Sequence, residues 1–359
     1  MEIAKAIDNF RKLKVLVIGE AILDGYFDGR AIRLCREAPV PVVNVDKKNF
    51  VPGGAANTAV NLANLGAETT LISVTGNDQE EKILNDLLLS LGVSVNLLAS
   101  EKRKTLNKAR ILADEVCVVR VDEGSIEDIN FSLEEKLTAK IVEIFPSVDV
   151  VVISDYDYGI LTKRVLGKLK NLQKRYPKLI VVDAKKLSKY KELEIEAVTP
   201  SYSELAKLLF FEETEQMVDR VAQVKKYGRQ LFYHLKTKQA LVTIDSDGVI
   251  ALTQGEEPRR IEAERVDHPQ VVGAGDTFTA ALALSLGVGL DLASAAKLAS
   301  TSASIVIKKQ GTSFVTAEEL LAKLGTKKEK LTVLKAIKKF ELAKEVLYGR
   351  SRTQRLAGS

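Results

Sequence analysis

The sequence is poor in the residues that build metal centres and disulfide frameworks. Its 359 residues include two cysteines, Cys35 and Cys117, and two histidines, His234 and His268. Two cysteines in so long a chain exclude a disulfide scaffold. So few histidines argue against a metal site built from His and Cys. We therefore expect a reducing, cytoplasmic location and a functional site built from other side chains.

The sequence also lacks long apolar runs, the pattern of a secretory leader, and a charge excess in the body of the chain. No apolar run approaches the ~18 residues that cross a bilayer, and residues 1–5 lack the basic-then-apolar order of a signal peptide. The net charge is +5, but residues 326–359 carry +7, so the first 325 residues carry −2. A nearly neutral body argues against a nucleic-acid binder. We expect neither nucleic acid nor membrane among the partners.

The pattern that remains predicts an α/β fold. Short apolar runs indicate strands, most of them buried on both faces, at 14–20, 39–46, 69–75, 150–154, 179–183, 197–199, 240–244 and 248–252. Helical patterns cover 1–12, 55–66, 78–91, 131–145, 162–175, 201–210, 213–233 and 291–309, and a further helix follows Asp276. Residues 25–35 are polar and are predicted to be irregular. The alternation of strands and helices predicts a mostly parallel sheet with helices on both faces.

Two segments interrupt this alternation. Residues 105–122 are typical of a β-hairpin that turns at Asp114-Glu115, and 25–50 contains a proline-bearing edge strand. We predict that 25–50 and 105–122 form a small sheet that covers the main domain as a lid and excludes water. Its Val-rich edges predict a homodimer that pairs through the lid. The main domain is predicted to span 1–325, and 326–359 to form a basic helix and a disordered tail.

A glycine-rich segment, Gly273-Ala274-Gly275-Asp276, leads into a long Ala- and Leu-rich helix. Small residues at a helix N-terminus leave backbone N–H groups open to an anion such as phosphate. A carboxylate at Asp276 would repel that phosphate, which suggests that it takes a proton from a hydroxyl that attacks the phosphate. An Asp at a helix start is also a common cap, so both interpretations stay open on these residues alone.

A second glycine pair, Gly53-Gly54, leads into a helix of small residues that includes Asn57. Together, in this order and spacing, the two segments resemble the ribokinase-like (PfkB-type) carbohydrate kinases over residues 13 to about 325. Within that family the chain is most similar to the heptose-7-phosphate kinase branch, the kinase half of the bifunctional protein of ADP-heptose synthesis. The stretch Glu37-Ala38-Pro39-Val40-Pro41-Val42 is the most branch-specific part of this resemblance.

The resemblance implies a three-layer α/β/α fold with a mostly parallel central sheet and a small β-sheet lid. It also implies ATP- and Mg²⁺-dependent phosphoryl transfer to a sugar phosphate, first of all D-glycero-D-manno-heptose 7-phosphate, giving the 1,7-bisphosphate. A kinase for another sugar or hexose phosphate stays open. So does a protein that binds nucleotide or sugar phosphate but has weakened turnover.

The resemblance also implies roles for individual residues. Asp276 would be the base, and charge on the transferring phosphoryl group would be stabilised by the amides of Gly273, Ala274 and Gly275. The sugar would be held by Asp24, Gly53, Gly54 and Asn57. Candidates for binding the phosphate of the substrate are Lys108, Arg110, Arg120 and Lys185. The nucleotide side would comprise Ser201, Tyr202, Ser203, Glu204, Thr243 and Gly248, with Glu204 facing Mg²⁺.

The chain departs from the family pattern at several of these places. Gln270 and Val272 stand where an Asp and a Thr are usual, which leaves a dependence on K⁺ open, and Ser201 stands where Asn is usual. The sequence has no counterpart of the nucleotidyltransferase half of the bifunctional proteins. A separate nucleotidyltransferase is therefore a candidate partner.

Overall fold

The computed structural model describes residues 2–264, 266 and 269–325. The predicted basic helix and tail at 326–359 lie outside the described residues. The strands are β1 (Lys14–Gly19), β2 (Ala21–Leu34), β3 (Pro41–Gly54), β4 (Glu68–Gly76), β5 (Ser94–Ser100), β6 (Leu106–Ala113), β7 (Val116–Glu123), β8 (Val150–Asp155), β9 (Leu179–Ala184), β10 (Ile195–Val198), β11 (Thr237–Thr243), β12 (Val249–Thr253) and β13 (Arg259–Ile261).

The helices follow the predicted pattern closely. They are α1 (Ile3–Asn9), α2 (Ala55–Asn64), α3 (Gln79–Ser90), α4 (Phe131–Ile144), α5 (Lys163–Arg175), α6 (Tyr202–Leu209), α7 (Met217–Tyr227), α8 (Leu231–His234), α9 (Ala274–Gly287), α10 (Leu292–Val306) and α11 (Ala317–Lys323). The single helix predicted over 213–233 is wrong, because a 3-10 turn at Gly228–Gln230 separates α7 from α8. Among the described residues, no helix has both the length and the apolar character needed to cross a bilayer.

A nine-stranded sheet in the order β13-β12-β11-β10-β9-β8-β1-β4-β5 forms the centre of the molecule. The strands from β11 to β5 are parallel, and β12 and β13 add antiparallel pairs at one edge. Alternate residues of β1 enter different cores, Val15 and Val17 one and Leu16 and Ile18 the other. Helices cover both faces because each face carries a continuous apolar surface. The predicted three-layer α/β/α fold is confirmed.

The small sheet is also confirmed, with four strands in the order β3-β2-β6-β7. The β6–β7 hairpin turns at Asp114 and Glu115, whose φ values of 50° and 68° are those of a type I′ turn. The irregular segment predicted at 25–35 is wrong as far as residue 34, because these residues continue β2, which pairs with β3 to its end and with β6 as far as Gly29. Register shifts near Gly29 twist β2 and hide its alternation in the sequence.

Helices α2 and α9 are both rich in Ala, with Asn in α2 and Thr in α9, and they lie in contact within the same core. A buried hydrogen bond from Thr277 Oγ1 to Asn61 Oδ1, 2.9 Å long, joins them. Small side chains let the two helices approach closely. Their N-termini therefore lie side by side, each preceded by one of the glycine motifs.

Candidate active site

A cleft of about 200 Å³ lies where β9, β10 and β11 end, against the N-terminus of α9. Ligands of parallel sheets bind at this carboxyl edge. The predicted residues that line the cleft are Gly273, Gly275 and Asp276 from the start of α9, Lys185, Ser201 and Glu204 from segments that follow strands, and Thr243 from the end of β11. The motif residues thus converge from distant parts of the chain.

Asp276 lies in the first turn of α9 and is only 5% exposed. Asn57 Nδ2 donates to its Oδ2 at 2.9 Å, and its Oδ1 accepts from the Tyr156 hydroxyl at 3.0 Å and from Thr58 Oγ1 at 3.4 Å. Burial raises the pKa of Asp276 to about 6, against the lowering effect of these three donors. A carboxylate with such a pKa is ionised at neutral pH and is a stronger base than an exposed Asp.

Glycine is required at the start of α9 by the approach of α2. Gly273 adopts the left-handed region with φ of 80°, and a Cβ there would lie 2.7 Å from Asn57 Nδ2. A larger residue would push Asn57 away from Asp276. Of the three amides predicted to stabilise the phosphoryl group, that of Ala274 donates to the carbonyl oxygen of Val271 at 3.2 Å. The positive end of α9 still faces the cleft and favours an anion there.

The predicted sugar-binding residues gather where the small sheet meets α2. Asp24 is buried, its Oδ1 accepts from Arg110 Nη1 at 2.9 Å, and its Oδ2 accepts from Thr312 Oγ1 at 2.8 Å. Gly53 packs directly against Asp24, since a Cβ on Gly53 would collide with Asp24 Oδ2. Asp24 also contributes to raising the pKa of Asp276 through charge repulsion, after the effect of burial. The two carboxylates therefore face one small region.

Each of the four predicted phosphate-binding cations already has a carboxylate partner. Arg110 pairs with Asp24 and Lys185 with Glu204, whereas Lys108 and Arg120 share Asp122. Lys108 also donates to the Tyr158 hydroxyl at 3.0 Å and is largely buried. Arg120 is half exposed on β7. Lys108 and Arg110 therefore lie toward the interior, whereas the side chains of Lys185 and Arg120 are each more than half exposed.

On the nucleotide side, a capping box begins α6. Glu204 N donates to Ser201 Oγ at 3.3 Å, and Ser201 N donates to Glu204 Oε2 at 2.8 Å. This geometry points Glu204 into the cleft and turns the two intervening residues away from it. The Tyr202 hydroxyl lies in the core and accepts from Thr214 N, while Ser203 donates to Glu213.

Gly248 does not line the cleft either. It follows the turn between β11 and β12 with φ of 88°, and a Cβ there would collide with the backbone of Ile261 in β13. Its place in the fold is explained by this close packing of the sheet edge. Thr243, at the end of β11, does line the cleft.

The cleft carries more carboxylates than cations. The pKa of Asp183 is raised to about 7 by burial and then by the charges of Glu204 and Asp276, while Lys185 and Thr279 oppose the shift. Mg²⁺ is commonly bound through one or two carboxylates, retained waters and substrate phosphates. Within residues 2–264, 266 and 269–325 there is no cluster of three or more His, Cys, Asp or Glu that could hold a metal ion. The donor set fits a metal that arrives with a phosphate ligand, and it does not fit an all-protein cage.

Sequence reasoning assigned no role to two residues that shape this site. Tyr156, directly after β8, contacts Asp276, and Glu20, directly after β1, is fully buried and accepts from the backbone N–H of Tyr156 at 2.7 Å. Both follow strands of the parallel sheet, where polar residues have a positional reason to be functional. That position is the signal in the sequence that pointed to them.

Comparisons with known proteins agree with this architecture. The family model of the pfkB family carbohydrate kinases matches residues 12–320. The bifunctional protein HldE of Desulfatibacillum aliphaticivorans is 33% identical over 319 residues, which cover 89% of this chain and 64% of that protein. The chain therefore spans less than two thirds of the length of this relative.

Two solved structures share the fold. The ribokinase of Arabidopsis thaliana, complexed with ribose and ATP, superposes with a TM-score of 0.66 at 21% identity and covers 87% of this chain and 99% of that one. The phosphofructokinase-2 of Escherichia coli, in complex with substrates and products, gives a TM-score of 0.70 at 21% identity, with 86% and 97% covered. At this level of identity, the similarity establishes the fold alone.

Proposed function

The chain belongs to the pfkB family of carbohydrate kinases and is an ATP-dependent sugar kinase. We propose that its acceptor is a sugar that already carries a phosphate group. The first candidate is D-glycero-D-manno-heptose 7-phosphate, converted to the 1,7-bisphosphate. The similarity to HldE proteins and the Glu37–Val42 stretch support this choice. The observation that carries the proposal is the buried Asp276 carboxylate at the N-terminus of α9, beside Asn57 and near Asp24.

The reaction follows from the placement of these groups. The acceptor hydroxyl loses its proton to Asp276, its oxygen forms a bond to the γ-phosphorus of ATP, and the bond from that phosphorus to the bridging oxygen breaks to leave ADP. Asp24 and Asn57 hold the hydroxyls of the sugar. The positive end of α9 and the Lys185 ammonium stabilise the charge on the transferring group. In such transfers, positioning and electrostatics supply most of the rate.

Glu204 would hold a Mg²⁺ ion that enters with ATP, because its carboxylate faces the cleft beside the partly buried Asp183. Such an ion neutralises charge on the phosphates. A dependence on K⁺ stays open, because Gln270 and Val272 replace the usual Asp and Thr. We also propose a cytoplasmic location, because the proposed reaction uses ATP and a sugar phosphate.

For the phosphate already on the substrate, we propose Lys108 as the main partner. Its ammonium lies between Tyr158 and Asp122, and Lys108 is on the inner strand β6, two residues before Arg110 and on the same face of the strand. A dianionic phosphate group would compete with Asp122 for Lys108. Arg110 stays engaged with Asp24 and orients that carboxylate.

We also propose a homodimer that pairs through the small sheet. Strand β7 carries exposed apolar side chains at Val116, Val119 and Val121, and a second copy would cover them. Sedimentation velocity of the full chain at micromolar concentration is expected to show a dimer, and Val121→Lys to shift it toward monomer. A monomer in both samples would contradict the proposal. Because the matched HldE relative is bifunctional and longer, a separate nucleotidyltransferase remains the proposed partner.

The activity is tested by phosphorus NMR of the protein with Mg-ATP and a panel of acceptors, including heptose 7-phosphate, fructose 6-phosphate, tagatose 6-phosphate and unphosphorylated sugars. A new sugar-phosphate signal is expected with heptose 7-phosphate. Asp276→Asn is expected to reduce its rate by about 10²–10⁴-fold, the usual contribution of a general base. Asp8→Asn, which alters an exposed ion pair, is the matched control. A signal only with another acceptor would replace the substrate, and nucleotide binding without turnover on any acceptor would favour a binding protein.

A further inference from the structure

Tyr156 contacts the proposed base from the side of the sheet, opposite to the helix that supplies its other donors. Asn57 and Thr58 both belong to α2, whereas Tyr156 follows β8 and donates to Asp276 Oδ1 at 3.0 Å. An ionised carboxylate has about four lone-pair positions for hydrogen bonds. Three of them are occupied by protein donors. About one position therefore remains for the hydroxyl of an acceptor.

The backbone that carries Tyr156 is itself held by a buried carboxylate. Glu20 is 0% exposed, its Oε2 accepts from Tyr156 N at 2.7 Å, and its Oε1 accepts from Ile160 N at 3.3 Å. The two oxygens of Glu20 thus hold the two ends of the 156–160 loop. The tight path of this loop includes Asp157 with a positive φ of 63°.

A second carboxylate, that of Asp155, also holds the 156–160 loop. Asp155 Oδ1 accepts from Asp157 N at 2.8 Å, and its Oδ2 accepts from the Tyr190 hydroxyl at 2.6 Å and from Lys189 Nζ at 2.9 Å. Neither Glu20 nor Asp155 lines the cleft. Burying two carboxylates is costly unless they are well bonded, so this arrangement requires a reason other than substrate binding.

We propose that Tyr156 is a positioning residue for the base, and that Glu20 holds the Tyr156 backbone so that its hydroxyl orients the Asp276 carboxylate toward the acceptor. This inference rests on the proposed function, since it assigns the orientation of the group that takes the proton. The hydroxyl stays protonated at working pH, because burial and the charge of Asp276 raise the pKa of Tyr156 well above its ordinary value. It therefore remains a donor throughout the reaction.

Several charged groups face Asp276 and must be considered in any test by pH. Asp24 reaches it from β2, Asp183 from the end of β9, and Lys185 from the segment after β9. None of these changes when the Tyr156 hydroxyl is removed. The loss of a donor to the ionised carboxylate favours the protonated form of Asp276, so it raises the pKa of Asp276.

The first test compares Tyr156→Phe with wild type in the pH dependence of kcat and kcat/KM. Hydrogen bonds to charged groups contribute about 1.5–3 kcal/mol, so kcat is expected to fall roughly 10–100-fold. The KM values for both substrates are expected to stay within about 2-fold, and the acidic limb to move to higher pH. Tyr158→Phe is the matched control, because it removes a hydroxyl that contacts Lys108 and not Asp276. Its acidic limb is expected to coincide with that of wild type.

Glu20→Gln tests the second half of the proposal. A Gln side chain has one acceptor oxygen, so it can serve only one of the two N–H groups that Glu20 serves. The acidic limb is expected to move in the same direction as in Tyr156→Phe. In the double variant, the loss in kcat is expected to be smaller than the product of the two single losses. Independent, multiplying effects would overturn the role of Glu20.

A readout without turnover separates this inference from the proposed function. Carbon-13 NMR of Asp side-chain carboxyls, with the Asp276 resonance assigned through Asp276→Asn, reports the titration of the base directly. The midpoint of this titration is expected to be higher in Tyr156→Phe than in wild type. A wild-type protein without turnover on any acceptor would refute the proposed function and leave this titration interpretable. An unchanged midpoint together with an unchanged pH–rate profile in a folded Tyr156→Phe protein would overturn the inference.

Discussion

Replacing Asp183 by Asn is expected to stabilise the protein at neutral and alkaline pH. Burial and the nearby charges of Glu204 and Asp276 raise the pKa of Asp183 from 3.8 to about 7. The folded state therefore binds this proton more tightly than the unfolded chain does. The contribution of Asp183 to stability is present below about pH 4 and is lost as the pH rises to 7. An Asn side chain stays neutral as the pH rises, and its oxygen still accepts a hydrogen bond from Thr279 as Asp183 does.

The magnitude follows from the shift. Roughly 3 pKa units at 1.36 kcal/mol each give about 4 kcal/mol as an upper limit. Asp183 is partly exposed to the cleft, and water there screens the charges, so a gain of about 2 kcal/mol at pH 8 is a reasonable expectation. The difference in free energy of unfolding between variant and wild type should already be about 1 kcal/mol at pH 4.5, should grow as the pH rises toward 7 and should level off above it.

The assay is urea unfolding followed by far-UV circular dichroism, because the chain has no tryptophan to report by fluorescence. Measurements at intervals between pH 4.5 and 8 give the difference curve. Asp8→Asn is again the control, and its difference curve is expected to stay flat. A constant difference between Asp183→Asn and wild type across this range would refute the reasoning, because it would mean that Asp183 is ionised in the folded state throughout. Added Mg-ATP should also stabilise wild type, since its cation offsets the crowded carboxylates.

Two further predictions concern a close contact and a strained helix end. Gly53→Ala would place a methyl group against Asp24. Steady-state kinetics should therefore show that KM for the acceptor rises by about 10-fold or more, while KM for ATP changes little. An equal rise in both KM values would point to a general loss of structure. Phe210 ends α6 with φ of 57° and an 89% exposed side chain, so Phe210→Gly should relieve left-handed strain and raise the free energy of unfolding by up to about 1 kcal/mol. A drop in thermal stability would show that the Phe210 side chain makes a contact that outweighs the strain.

Strands that are buried along their whole length could be predicted from the sequence, and strands at the edges of the sheets could be predicted less well. The central strands β1, β8 and β9 are continuous apolar runs and were predicted within a residue or two. Strand β5 was not predicted, because its side chains are only partly buried at the edge of the large sheet and show no clear pattern. The part of β2 that pairs on both sides, residues 22–29, contains two glycines and two aspartates, and only this pairing makes it a strand.

For the site, local motifs predicted which residues belong to it better than they predicted where side chains point. Asn57 and Asp276 are 219 positions apart and are hydrogen-bonded, as the two glycine motifs together implied. Tyr202 and Ser203 were included by position in a motif, but the first turn of α6 directs them away. The contact between Tyr156 and Asp276 could be recognised only once β8 and α9 were placed side by side. Such convergence is a property of tertiary packing and leaves little trace in local sequence.

The two ends of the β2–β3 segment meet at one point of the molecule. Strand β2 starts one residue after β1, β3 ends at Gly54, and Ala55 N donates to Glu20 O at 2.9 Å where they meet. Because β2 and β3 both join the large sheet at this point, we expect a tilt of the small sheet to turn the chain at Glu20 and Gly54. The side chain of Glu20 holds the Tyr156 loop, and Gly54 leads into the helix that carries Asn57. A tilt of the small sheet over a bound substrate would therefore move both Tyr156 and Asn57, the residues that contact Asp276 from its two sides.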